Sequence, residues 1–250
     1  MKLERWEAWT LAAILIVAAG ARIAGLDAAL WYDEVFTLTH YVRAPLGQVL
    51  TDFSSLNNHM FYSLQAKASV ALLGESAWAM RLPAMLFGIG SLVLLWAMAR
   101  APAGRVATLF AVFLMAISYH HVWFSQNARG YTGILFWTSL ATLLLIEGLK
   151  HPDWRIWTAY GASVAAGMYT HLSAGFFFAS HALVYGVAWL ARGAHGLAPY
   201  AGLRDIRPVC GFALGGVLTL LLHVPLIGQV LAAMSKVSEG KATSAMAEWV

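Results

Sequence analysis

The chain has 250 residues, of which 60% are apolar and only 11% charged. Soluble domains carry about 25% charged residues, so this composition excludes a soluble globular domain and points to an integral membrane protein. A net charge of +4 spread over the chain argues against nucleic acid as a partner, and the single cysteine, Cys210, excludes a disulfide framework or a Cys-rich metal site.

The apolar runs have helical length and no alternating pattern, which predicts an all-α polytopic membrane protein. A charged N-terminus, Met1 to Thr10, leads into the first run without a small-residue cleavage site, so 7–25 reads as an uncleaved span. Six further spans are predicted, at 82–99, 106–120, 131–148, 155–170, 173–191 and 208–226. That makes about seven transmembrane helices, with external juxtamembrane helices besides. Lys2, Arg5, Arg100, Arg105, Lys150, Arg155, Arg192, Arg204 and Arg207 then fall at one end, which the positive-inside rule assigns to the cytoplasm.

Residues 61–74 decide this topology. The segment is apolar but carries Gln65 and Lys67, and it falls short of the ~20 residues that a span needs. It reads as a helix lying on the outer interface, so 26–80 becomes one external loop. The same count places 119–130 outside, and His171 ends the fifth span on that face. Residues 1–226 form one membrane module, and 227–250 reads as the start of a further external loop.

Two polar segments thus meet one face. The first carries Trp31-Tyr32-Asp33-Glu34 and Asn57-Asn58-His59; the second carries Gln126, Asn127, Arg129 and Tyr131. Convergence of polar groups from separate segments is what a binding site requires. An acceptor hydroxyl that attacks a sugar needs a base, and Asp33 can supply it. A phosphate leaving group departs as a stable anion and needs no acid, only donors such as the planar fork of Arg129. His59 offers a second contact to phosphate or hydroxyl.

Adjacent residues point in different directions, so one acid of the Asp33–Glu34 pair faces the site. The other holds a metal, orients the loop or accepts hydrogen bonds at a helix N-terminus, with Asp33 a candidate cap for a helix over 34–43. His59, His120, His121 and His171 leave a divalent metal open, although no His-Glu-x-x-His spacing occurs. His181 and His223 read as packing residues. Trp31, Trp78 and Trp123 read as interfacial anchors, with sugar stacking open for Trp31 and Trp123.

In these segments the chain resembles the GT-C superfamily of membrane glycosyltransferases, in its branch of dolichyl-phosphate-mannose-protein-mannosyltransferase-like and ArnT-like proteins. The resemblance rests on Trp31 to Glu34, Asn57 to Tyr62, Arg81-Leu82-Pro83, Trp123 to Tyr131 and Tyr169-Thr170-His171 in order. It implies transfer of a sugar from a polyprenyl-phosphate donor to an external lipid, glycan or protein acceptor with inversion. It also implies a bacterial inner membrane with the site on the periplasmic face. Asp33 maps to the catalytic base, with Glu34 beside it. Asn58, His59, Gln126, Asn127, Arg129, Tyr131 and His171 become substrate contacts. Asn127 stands where many relatives have Glu, which weakens a two-carboxylate metal site. Met60 replaces a proline and no Lys precedes the Tyr62 segment, which argues against the aminoarabinose-to-lipid-A activity. Relatives are usually longer, so the chain reads as truncated or as the core of a longer protein. The rival reading is a lipid or glycan transporter, or a subunit of a membrane complex.

Overall fold

The computed structural model describes residues 3–53 and 58–238, and among them there are helices and no strands. Four helical stretches are long and apolar enough to cross a membrane: α1 (Arg5–Ile23), α5 (Ala77–Ala103), α8 (Tyr131–Lys150) and Arg207–Ala232. The last runs from α11 (Arg207–His223) through a 3-10 turn at Val224–Leu226 into α12 (Ile227–Ser238). A fifth stretch is bent: α6 (Arg105–Ile117) and α7 (Tyr119–Ser125) meet at 60°. α9 (Trp154–Thr170) and α10 (Ala174–Leu190) have 17 residues each. At 1.5 Å per residue they reach about 26 Å, short of the ~30 Å hydrocarbon core. The count by length and composition is therefore four to five rather than the seven expected from sequence.

Many large apolar side chains point away from the bundle, including Ile16, Phe110, Phe176, Leu183, Leu220 and Leu221. Such faces suit hydrocarbon, since each helix already satisfies its own backbone. Inside, Ile14, Ala18, Leu92 and Val112 join α1, α5 and α6, while Leu145, Trp157, Tyr160 and Phe178 join α8, α9 and α10.

The first external segment folds into α2 (Tyr32–Thr37), a π-helical turn at Leu38–Val42, α3 (Leu46–Thr51) and α4 (Met60–Leu73). α4 has 14 residues and packs flank-on against α5. Its seat follows from a proline. Pro83 lacks the N–H that would reach the Ala79 carbonyl one turn back. The Ser69 hydroxyl of α4 donates to that carbonyl instead at 2.6 Å, and the Tyr62 hydroxyl donates to Met80 O at 2.6 Å. Lys67 Nζ holds the other side, donating to Val42 O and Ala44 O at 2.9 and 2.6 Å.

One end of the bundle is fixed by charge. Glu7 near the start of α1 pairs with Arg100 at the end of α5 at 2.6 Å, and Arg105 pairs with Glu4 at 2.6 Å. Between them the chain turns on Gly104, whose φ of +78° suits glycine. The first polar segment, α7, the start of α8 and the end of α9 lie at the opposite end. α12 returns there, where Gln229 bonds Phe53 N and Thr51 O, both at 2.7 Å.

Candidate active site

Trp31 to Glu34 enter α2, whose N-cap is Trp31 in extended conformation. Glu34, three residues on, reaches back to accept the Trp31 N–H at 2.8 Å, as acids near a helix start do. Asp33 is therefore not the cap; Glu34 takes that place because N3 points back over the first turn. The helix also ends at Thr37 and passes into the π turn, not reaching 43 as one α-helix.

Glu34 is fully buried. Arg81 grips both its oxygens, Nε to Oε1 at 2.8 Å and Nη2 to Oε2 at 2.6 Å. The remaining Arg81 N–H groups donate to Leu26 O, Ala28 O and Ala29 O at 2.7–3.0 Å. The Ala128 N–H completes the set, donating to Glu34 Oε1 at 2.6 Å. One carboxylate thus ties the first polar segment, the start of α5 and the second polar segment together. No face of Glu34 is open to a substrate. The role of Arg81 is missing from the sequence reading; its signal was a lone arginine opening a span beside a loop that carries acids.

Asp33, on the next position round the helix, is half exposed and faces Arg129, with Oδ2 at 3.4 Å from Nη1. Arg129 is buried and lies 5.7 Å over the Tyr131 ring. Its Nη2 is 3.3 Å from His59 Nε2. His59 Nδ1 accepts the Gly130 N–H at 2.8 Å, so the neutral ring carries its proton on Nε2. Burial, helped by the charges of Arg129 and His171, holds His59 well below its ordinary pKa, so it is neutral at pH 7. His171 stacks edge-on at 4.9 Å and accepts the Ser173 N–H on Nδ1 at 3.1 Å. Burial lowers its pKa as well, with Arg129 adding to the shift. Arg129 and His59 Nε2–H are donors side by side; neither can accept from the other, and an oxyanion can accept from both. Tyr131 meets His59 edge-on at 5.1 Å, and Trp31 and Tyr32 stand exposed beside Asp33.

Of the other expected contacts, Gln126 and Asn58 are bonded to neighbouring segments. Gln126 Nε2 donates to Ala21 O and Arg22 O at 3.0 and 2.9 Å, closing the end of α1. Asn58 bridges Asp52 O at 2.7 Å and the Ser63 hydroxyl at 3.0 Å. Asn127 is buried, and its Oδ1 meets no donor among the described residues. Asn57 lies outside the described residues. His121 faces Arg22, a buried cation of α1 that also donates to Ser125 Oγ at 3.2 Å, so His121 braces the α6–α7 bend. Among the described residues no three His, Cys, Asp or Glu side chains come together as metal ligands; Glu34 is taken by Arg81, and His59 and His171 make only a pair.

A cavity of about 200 Å³ adjoins the cluster, lined by His171, Asn58, Met60, Phe53, Tyr169 and His223 among others. Asp33 and Arg129 stand beside it rather than in its lining. It is smaller than the ~300–1,000 Å³ of ordinary ligand sites.

Residues 60–198 match the family model described as Dolichyl-phosphate-mannose-protein mannosyltransferase. The chain belongs to this family. As a mannosyltransferase-family protein it is a membrane glycosyltransferase of the GT-C type. The match runs from α4 through α10 and takes in Arg81, Arg129, Tyr131 and His171, whereas Asp33, Glu34 and His59 precede it. Curated proteins and solved structures give no match.

Proposed function

We propose that this glycosyltransferase moves a sugar from a polyprenyl-phosphate carrier to an acceptor hydroxyl on the outer face of a bacterial inner membrane, with inversion. Asp33 takes the acceptor's proton. The acceptor oxygen bonds to the anomeric carbon from the side opposite the phosphate, and the bond from that carbon to the phosphate oxygen breaks. A single displacement inverts the centre. Polyprenyl phosphate leaves as an anion, with Arg129 and His59 Nε2–H donating to its oxygens. Glu34 and Arg81 are positioning residues. In this reading α9 and α10 also cross, which makes seven spans.

The observation that carries the proposal is the half-exposed Asp33 facing a buried Arg129 with the neutral His59 behind it. Polar groups gather at the ends of the bundle, the Asp33–Arg129 cluster at one of them, instead of lining a path across it, which favours a transferase over a transporter.

The test uses the longest natural form of the protein in nanodiscs with a panel of polyprenyl-phosphate sugars, following released polyprenyl phosphate by mass spectrometry. Asp33→Asn is expected to slow release by about 10²–10⁴, the range of general-base catalysis. Release at the wild-type rate from the folded variant removes Asp33 as base.

A further inference from the structure

At the end of the bundle opposite Asp33, a groove of about 620 Å³ opens between α5, α8 and α10. Ala97 and Ala101 on α5, Leu143 and Ile146 on α8, and Val184 and Ala188 on α10 form much of its wall. The space exists because the alanines are small. Facing side chains stop short of one another, while Leu145, Leu149 and Leu203 close the floor. The volume lies within the ~300–1,000 Å³ range of ligand sites. Glu147, Lys150 and Tyr200 are the polar side chains in the lining.

Chemistry selects the occupant. Two of the walls, α5 and α8, are long and apolar enough to cross the membrane and the third, α10, is apolar, so the medium beside the groove is hydrocarbon and its natural filling is an acyl chain. The rim carries Lys150 and Glu147, with Arg204 beside it, so its cations outnumber its acid. Lys150 Nζ is bonded to Glu147 at 3.0 Å, but both side chains are partly exposed, and such a pair contributes about 0–1 kcal/mol. Its ammonium has three protons and can share a second anion. Arg204, next to Leu203 of the floor, is exposed. The acids nearby are already engaged: Asp205 with Arg207 at 3.2 Å, and Glu7 with Arg100 at 2.6 Å. Basic pockets between transmembrane helices at the membrane surface suit anionic lipid headgroups.

We propose that this groove binds an anionic glycerophospholipid of the adjoining leaflet, with an acyl chain between α5 and α10 and its phosphate at Lys150. The lipid is a structural partner, remote from the chemistry at Asp33, and the proposal does not depend on the donor or acceptor of sugar transfer. It binds the folded protein alone and so stabilises it.

The whole protein is reconstituted in nanodiscs of phosphatidylcholine, with and without phosphatidylglycerol. Melting temperature is measured, and retained lipid is counted by native mass spectrometry after extraction into mild detergent. Phosphatidylglycerol is expected to raise the melting temperature and to remain bound. Ala188→Phe and Ala97→Phe fill the groove from opposite walls. Either is expected to cut retained lipid by about tenfold or more, equivalent to about 1.4 kcal/mol of binding. Lys150→Gln, a change at the surface, is expected to abolish the preference for phosphatidylglycerol over phosphatidylcholine. Unchanged retention in a folded groove-filled variant would mean annular lipid only and overturn the proposal. So would equal preference in wild type and Lys150→Gln, or a dimer that dissociates when the groove is filled.

Discussion

Asp33 and Glu34 are consecutive carboxylates with opposite surroundings, and their substitutions separate chemistry from architecture. Glu34 is buried against Arg81 and two backbone N–H groups. Glu34→Gln strands the Arg81 charge, and breaking a buried pair in this way costs about 3–5 kcal/mol. Its melting temperature is expected to fall sharply, whereas Asp33→Asn melts like wild type and loses release. The double change Glu34→Leu, Arg81→Met removes both charges and is expected to lie above the sum of its single variants. The sequence marked the acid pair and predicted a division of labour. It did not say which acid faces inward, because that depends on where Arg81 lies, 47 residues away. His59 supplies a pH signature. Its pKa is depressed in the folded state, so below about 6.5 the unfolded chain takes up a proton that the folded one refuses. Stability is full above that value and declines as pH falls towards the folded pKa. The melting temperature is expected to drop between pH 7.5 and 5, and His59→Gln is expected to shrink the drop, with His171 acting in the same direction.

The helices show which signals a sequence carries and which it hides. Its length, with Gln65 and Lys67 in it, argued against α4 as a span, and Lys67 finds backbone carbonyls. The 60° bend between α6 and α7 was hidden, since Ser118 and Tyr119 carry no proline or glycine to announce it. It is held by Arg22, an arginine inside an apolar run, and that residue was the available signal. The close packing of α9 on α11 was also hidden, although Gly211 and Gly215 have the spacing that lets helices approach in membranes. A Cβ on Gly215 would meet Val164 at 3.0 Å, and one on Gly161 would meet the α11 backbone at 3.1 Å. Gly216 has nothing within 4 Å. Gly215→Leu is therefore expected to force the helices apart, at a cost of about 1–3 kcal/mol or more, and to lower the folded yield. Gly216→Leu, one residue on, is expected to leave both yield and melting temperature unchanged. Equal damage from the two would mean that helix propensity, not close approach, decides.

At the scale of the molecule, the sequence's strongest inference was that distant polar segments share one end. Charge placement made that legible, because spans force polar groups to their ends and counting spans then sorts the ends. Asp33 and Arg129 do meet, and Glu7 meets Arg100 at the opposite end. The number of crossings was less legible, because α10 is apolar without spanning length and α9, equally short, is less apolar. Accessibility of introduced cysteines decides the orientation. In a Cys210→Ser background, Asp27→Cys places an exposed thiol after α1, and Gly193→Cys places one between α10 and α11. With seven crossings and the basic end inside, a membrane-impermeant maleimide added to intact cells is expected to label position 27 and spare position 193. Both positions are expected to react once the membrane is opened. Labelling of both in intact cells would mean that the chain between them crosses an even number of times, so that either α9 or α10 lies along the surface instead of through it. The loop carrying Arg192, Arg204 and Arg207 would then share the outer face with Asp33. Lys150, three crossings after position 27 in either case, would stay on the inner side, so the groove it shares with Tyr200 and Leu203 could not form and the lipid site would fall with it.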